Sequence, residues 1–212
     1  MPPDWKAERV QAGGASVTGV DEAGRGALAG PVVAAAYRFH QRGVRVPGLD
    51  DSKKLPPKKR EEIYRRLTAG DLGVWAVGEA SVEEITELNI LVASQLAMRR
   101  AVEALPPAEG VILVDGLAAK HLGKVHVPVV GGDRICPSIA AASVVAKFSR
   151  DRILLQLSWS YPVYGWDRNR GYGTAAHLRA LADHGPCPVH RRTFLPVGSP
   201  SLPGLEASSG GR

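Results

Sequence analysis

The chain has 212 residues, 44% of them hydrophobic and 23% charged, with a formal net charge of +6. That length suits one domain, or one domain with an appendage, and the composition excludes a disordered or fibrous chain. No apolar run reaches the roughly 18 residues of a membrane span, the start MPPDWKAERV has no apolar signal core, and two cysteines, Cys136 and Cys187, make no disulfide framework, so a reduced, cytoplasmic setting is expected.

Residues 1–15 are expected to be loosely ordered. A strand is expected over 16-SVTGVD-21 and a second over 31-PVVAAAYRF-39, with a glycine turn between them. A helix follows over 57-PKKREEIYRRLTAG-70, with proline at its start, Ile63 and Leu67 one turn apart, and Gly70 as its stop. Residues 73-GVWAVGEA-80 read as a third strand. Ser81 and Glu84 have the spacing of a capping box that opens a helical region to about Leu105, which Asn89 divides. The unalternating run 111-VILVD-115 fits a strand buried on both faces of a parallel sheet, and 125-VHVPVV-130, interrupted by Pro128, fits an edge strand. The clearest helix is 138-SIAAASVVAKFSRDRILLQL-157, with Ser138 as its cap. A last one spans 174-TAAHLRALADHG-185. Residues 196–212, rich in Pro, Gly and Ser, read as a flexible tail. The first three strands are expected to meander antiparallel and the later ones to join in parallel through helices, an α/β order. The chain has no surplus apolar stripe, so a monomer is expected.

Acids close the strands. Asp21 and Glu22 end the first, Asp115 ends VILVD, and Asp133 follows Gly131-Gly132 after the next extended run. The carboxyl ends of strands line the ligand crevice of an open α/β sheet, so these positions can converge. Neighbouring strand residues point to opposite faces, so regular geometry cannot aim Asp21 and Glu22 together, and the turn at Gly24 would have to re-aim one of them. Each acid alone reads as a turn residue. Placed jointly on a basic protein, they favour a site for Mg²⁺ or Mn²⁺, since clustered carboxylates repel unless a cation neutralises them and oxygen-only donors suit hard ions. Two such ions would activate water for phosphodiester cleavage. Gly24, Gly26 and Gly30 are not a dinucleotide loop, because a strand and not a helix follows them. They let backbone approach a ligand, and Arg25 between them can grip a phosphate. Basic clusters at 52-SKKLPPKKR-60, Arg168/Arg170 and Arg191/Arg192 fit a polyanionic partner.

The motifs GVDEAGRGALAGPVVAAA, DDSKKL, LVDG, SIAAASVVAKFSRD, RGYGTAAH and HRRTF, in this order from about Val17 to Val197, resemble ribonuclease HII, the bacterial type 2 ribonuclease H. The resemblance implies a ribonuclease H-like α/β fold, with a mixed central sheet flanked by helices over 16–157. A helical C-terminal region over 158–195 would complete the substrate site. It implies cleavage of the RNA strand of RNA–DNA hybrids and incision 5′ to single ribonucleotides in duplex DNA. By position, Asp21, Glu22, Asp115 and Asp133 would be the catalytic metal-binding acids. The Gly24-Arg25-Gly26 turn would meet the ribonucleotide, Tyr172 would stack on the sugar at the RNA–DNA junction, and Ser52, Lys53, Ser143 and Lys147 would hold backbone phosphates. Two positions depart from the family pattern. Gly131 stands where Lys is common, removing one phosphate-facing charge, and Asp50 stands where Asn is usual, adding a negative charge near the phosphate path. Cys187 and His190 offer only half a zinc site, His177 reads as a packing residue, and Trp159, Tyr161, Tyr164 and Trp166 read as core of the C-terminal region.

Overall fold

The computed structural model describes residues 3–199. Among them are five strands and six helices: α1 (Trp5–Ala12), β1 (Val17–Ala23), β2 (Val32–Phe39), α2 (Pro57–Thr68), β3 (Gly73–Ala80), α3 (Val82–Glu103), β4 (Val111–Asp115), β5 (Val127–Val129), α4 (Pro137–Ser160), α5 (Trp166–Asn169) and α6 (Ala175–His184). The strands form one mixed sheet in the order β3-β2-β1-β4-β5. β1, β2 and β3 pair antiparallel, while β4 lies parallel to β1 and β5 parallel to β4. The carboxyl ends of β1, β4 and β5 therefore share one edge. None of the described helices is long and apolar enough to cross a membrane.

The two-residue period of β2 assigns the layers. Val32, Ala34 and Ala36 pack with Ile85, Ala97 and Met98 beneath α3. Ala35, Tyr37 and Phe39 face the other way, onto Ile63 and Leu67 of α2 and the small residues Ala141 to Ala146 of α4. Gly19 lets α4 reach the sheet: a Cβ there would lie 2.2 Å from the Ser138 backbone. The start of α4 thus lies directly on β1, two residues before Asp21.

Several expectations are corrected. Residues 1–15 carry α1, whose start is capped by Asp4 accepting from the Lys6 amide at 2.8 Å. Ser138 does not cap α4. The helix begins at Pro137, and Ser138 lies within its first turn, donating through both its amide and its hydroxyl to Glu8 Oε1 at 2.7 Å. A carboxylate of α1, distant in sequence, thus supplies the cap that local pattern assigned to a serine. α4 runs on to Ser160, across the boundary drawn at 157/158. Leu28 and Ala29 share a cluster with Leu154, Trp166 and Leu181, which joins the C-terminal region to the sheet domain. Trp159 is 76% exposed, whereas Tyr164 and Trp166 are buried and stack at 5.2 Å between ring centroids. Of the tail assigned to 196–212, Val197 is fully buried, and 200–212 lie outside the described residues.

Asn89 does divide the helical region. It adopts φ 67°, and its Oδ1 accepts from the amides of Leu91 and Val92, restarting the helix. The Ser81–Glu84 capping box is complete, with amide-to-side-chain distances of 3.2 and 2.9 Å. Ser81→Ala is expected to cost about 1 kcal/mol and to lower the melting temperature by roughly 2–4 °C, read by circular dichroism. An unchanged melting curve counts against this cap as an anchor of α3.

Candidate active site

The parallel register sets Val20 beside Val114, which brings the next residues, Asp21 and Asp115, side by side at the ends of β1 and β4. Asp133 arrives from β5 through a single 3-10 turn, Gly132–Arg134, entered by Gly131 at φ 66°. Its amide donates to Asp115 Oδ1 at 3.3 Å. One carboxylate oxygen from each of Asp21, Asp115 and Asp133 lies within 4.8 Å of the others. Asp21 and Asp133 are buried.

Glu22 lies outside this triad, as strand alternation requires. β1 continues through it to Ala23, and its carboxylate accepts from Arg25 Nη1 at 3.2 Å. It still feels the site: burial raises its pKa and Asp115 adds to this, while Arg25 and Lys53 oppose it. Asp21 has its pKa pushed well up by burial, then by Glu22 and Asp115, against the hydrogen bond from Ser143. Asp133 is raised by burial and by the charges of Asp115 and Asp51. Lys53 Nζ stands 3.8 Å from Asp133 Oδ2. Burial alone would lower the Lys53 pKa, but Asp21 and Asp133 outweigh it, so the ammonium is held charged.

Three carboxylates pressed together, two of them buried, are unfavourable without a counter-charge, and the nearest are two exposed cations, Lys53 and Arg134, at 3.8 and 3.9 Å from Asp133. The donors are all oxygen, which fits hard divalent cations held by Asp21, Asp115 and Asp133, with Glu22 at the rim.

The other expected residues fall in two groups around this edge. Ser52 and Ser143 are buried, with their hydroxyls 2.8 Å apart, and Ser143 also bonds Asp21. In this structure they brace an acid. Arg25 and Gly26 are exposed while Gly24 is buried. Lys147 Nζ lies 5.3 Å from the centroid of the Tyr172 ring and bonds Asp151 at 2.7 Å. The Tyr172 carbonyl accepts from His177 Nδ1 at 3.0 Å. The tautomer follows because the Trp166 indole, a donor only, occupies His177 Nε2.

Both departures from the family pattern find partners. Asp50 is engaged by Lys54 Nζ at 3.2 Å. Against Gly131 lies the Arg134 guanidinium, 2.6 Å from where a Cβ would sit and 3.9 Å from Asp133, so a cation still stands there. Cys187 and His190 bond one another within a buried aromatic cluster with His177. Sequence reasoning missed Asp151, which gathers Lys147, Arg60 and Arg170 within 4.0 Å. The missed signal was the Asp that ends KFSRD. It also missed the buried Arg150, and Arg191, expected in a basic cluster facing a polyanionic partner, is instead fully buried against backbone carbonyls.

Strand-end carboxylates flanked by Lys53, Arg134 and Arg25, on a mixed sheet of this order, fit an acid-cluster nuclease of ribonuclease H-like fold. A ribonuclease HII family model matches residues 18–197. The chain is 51% identical over 181 residues to the ribonuclease HII of Paraburkholderia xenovorans, covering 85% of this chain and 73% of that one. It is 52% identical over 184 residues to that of Burkholderia mallei, covering 87% and 85%. The crystal structure of ribonuclease H2 from Pyrococcus horikoshii superposes with a TM-score of 0.73 at 25% identity, covering 88% of this chain and 97% of that one. The chain belongs to the ribonuclease HII family, divalent-metal-dependent hydrolases that cleave the RNA of RNA–DNA hybrids and nick at embedded ribonucleotides.

The repulsion at the site fixes a pH dependence. Asp21, Glu22 and Asp133 have raised folded pKa values, so metal-free stability is greatest where they are protonated and falls as pH rises through them. Removing one charge relieves this: metal-free Asp115→Asn is expected to melt above the parent at pH 8, with the gap closing by about pH 4, near the unfolded carboxylate range. A gap that is absent at pH 8, or that widens in acid, sinks the repulsion account.

Proposed function

We propose that this chain incises duplex DNA on the 5′ side of a single embedded ribonucleotide as well as cutting longer hybrids. Asp21, Glu22, Asp115 and Asp133 are its catalytic acids and its ligands for Mg²⁺ or Mn²⁺. It acts as a monomer in the cytoplasm, in the removal of ribonucleotides from DNA. The observation that carries this reading is the triad of carboxylate oxygens within 4.8 Å at the strand-end edge, with Lys53 beside it.

A divalent cation at such a site supplies counter-charge to phosphate oxygens and makes water a nucleophile near neutral pH. The protein's own groups do the rest. Asp21 is held in place by Ser143, and Ser143 by Ser52, so the most buried acid keeps one orientation. Lys53 is exposed enough to leave Asp133 for a substrate phosphate once the acids are otherwise neutralised. Arg25, bonded to Glu22, places the Gly24–Gly26 turn next to the acids, where backbone groups can meet a 2′-hydroxyl. Tyr172 offers its ring to the sugar at the junction, with Lys147 at its side. Phosphate contacts from Lys53, Lys147 and Arg25 set position without reading sequence, as a ribonucleotide-removing enzyme requires. The 2′-hydroxyl is read and not used as the nucleophile, so the cut leaves 3′-hydroxyl and 5′-phosphate ends.

A labelled DNA duplex carrying one ribonucleotide is the direct assay. A single 5′-side nick in Mg²⁺ or Mn²⁺, absent with EDTA, is expected. Stepwise loss from an end, or binding without a cut, overturns the proposal. Asp115→Asn should lose more than about a hundredfold in cleavage while binding changes little; an active variant removes that residue from the site. Tyr172→Ala should lose about tenfold or more on the single-ribonucleotide duplex, the scale of one stacking contact, and less on a uniform hybrid. Equal losses on both substrates contradict its junction role.

A further inference from the structure

Two arginines, Arg150 of α4 and Arg191 beyond α6, are fully buried, and neither makes a hydrogen bond to a carboxylate. They bond main-chain carbonyls instead. Arg150 donates to Pro31, Arg170 and Ala29 at 3.0–3.1 Å. Arg191 donates to Gly30 and Arg25 at 2.9 Å, and its remaining amino group, Nη2, is buried with no partner. Burial lowers the pKa of both, and the Arg150 charge helps bring that of Arg191 down to about 9. Burying two neighbouring like charges with no carboxylate hydrogen-bonded to either is unfavourable, and apolar side chains would fill the same space at less cost. The five carbonyls they engage explain the arrangement.

Four of those carbonyls, of Arg25, Ala29, Gly30 and Pro31, belong to the glycine turn and the segment after it. The fifth, of Arg170, lies two residues before Tyr172. Gly24 rests on Arg150 so closely that a Cβ would sit 1.9 Å from Nε. The Tyr172 ring lies 5.4 Å from the Arg150 guanidinium carbon. Backbone bonds close the unit: the Leu28 amide donates to Gly171, and the Arg191 amide to Leu28, each at 2.8 Å. In a planar trans peptide the C=O and the following N–H point oppositely. The Arg25 carbonyl, drawn inward by Arg191, therefore turns the amide of exposed Gly26 outward, to the side a substrate approaches.

We propose that Arg150 and Arg191 are positioning residues that lock the Gly24–Gly26 turn and the Tyr172 loop into one rigid unit, and so set how well a single ribonucleotide is told from a uniform hybrid. This rests on the reading above that these two segments contact the ribonucleotide. Neither arginine touches substrate. They act through the carbonyls they hold, which a lysine, with one point of donation, cannot span.

The test compares kcat/KM on a single-ribonucleotide duplex with that on a uniform RNA–DNA hybrid, for Arg150→Lys, Arg191→Lys and Tyr172→Ala, with melting curves for each. Both lysine variants are expected to keep most of the hybrid activity and to lose roughly tenfold in the ratio, the scale of one charge-assisted hydrogen bond. A lysine variant that loses both activities equally, in step with its folded fraction, has only a structural role, and an unchanged ratio likewise overturns the proposal. If Tyr172→Ala loses discrimination while the lysine variants keep it, the lock alone fails; if Tyr172→Ala also keeps it, the substrate reading fails and the lock's function with it. Should neither lysine variant fold, hydrogen exchange on the wild type decides. The amides of residues 25–28 and 171–172 should open with one common free energy, and separate opening overturns the proposal.

Discussion

Like-charge repulsion at one edge of the sheet is the constraint around which the rest of the molecule is arranged. The parallel pairing of β1 with β4 and of β4 with β5 leaves no choice about where Asp21, Asp115 and Asp133 end. Once the strands are in register, the carboxylates are neighbours. Burial then removes the water that would have screened them, and the pKa values of Asp21 and Asp133 rise. A fold stabilised by apolar packing on both faces, beneath α3 and beneath α2 and α4, can hold such an edge. The edge is unfavourable taken alone, and that is what makes it receptive to cations and to a cation-carrying polyanion.

The positive charges that answer it are of two kinds. Lys53, Arg25 and Arg134 are largely exposed, and each has a single acidic contact of 3.2–3.9 Å at the site. Their solvated ends can exchange one anion for another at little cost. Arg60, Arg150 and Arg191 are buried and hold backbone carbonyls, with Arg60 bonding Ser52 and Leu55 and also reaching Asp151. These cannot leave without stranding several acceptors, so they define shape. The same side-chain chemistry thus serves capture when it is solvated and geometry when it is enclosed. The net charge of +6 counts both kinds alike.

Much of this was legible from residue order because it depends on local chemistry. The strand-ending acids, the capping box, the helix break at Asn89 and the Pro-limited edge strand each follow from a short pattern acting on its own neighbourhood. What was not legible depends on partners far away in sequence. The cap of α4 comes from Glu8, 130 residues upstream, so a serine in the right place was read as the cap. Residues before the first strand carried no strong period, and α1 is held by docking its Glu8 and Ala12 into the fold. Arg150 and Arg191 look like any surface arginine in a basic chain, and only the approach of α4 and the C-terminal segment to the glycine turn buries them. Ser143 is one of a run of small residues, and its place beneath Asp21 depends on how α4 crosses β1 at Gly19. Strand alternation separates Glu22 from Asp21, but its distance from the triad depends on the turn that carries Arg25, which no local pattern specifies.

The adjacency of two acids and a glycine turn has a physical rationale in this arrangement. Asp21 points to the α4 side of the sheet and joins the triad, while Glu22 points away and meets Arg25 in the turn. One strand end therefore carries one acid of the triad and, on its other face, the tie to the glycine turn that we propose contacts the substrate. Glycine at 24 brings the turn down onto Arg150, and Arg191 holds it from the other side. Any displacement of the turn must then strain the Glu22–Arg25 contact or break a buried guanidinium–carbonyl bond. Placing the triad acid and the tie to the turn on consecutive residues makes the distance between triad and turn a property of the backbone, fixed by a few peptide units and insensitive to how the surrounding surface changes.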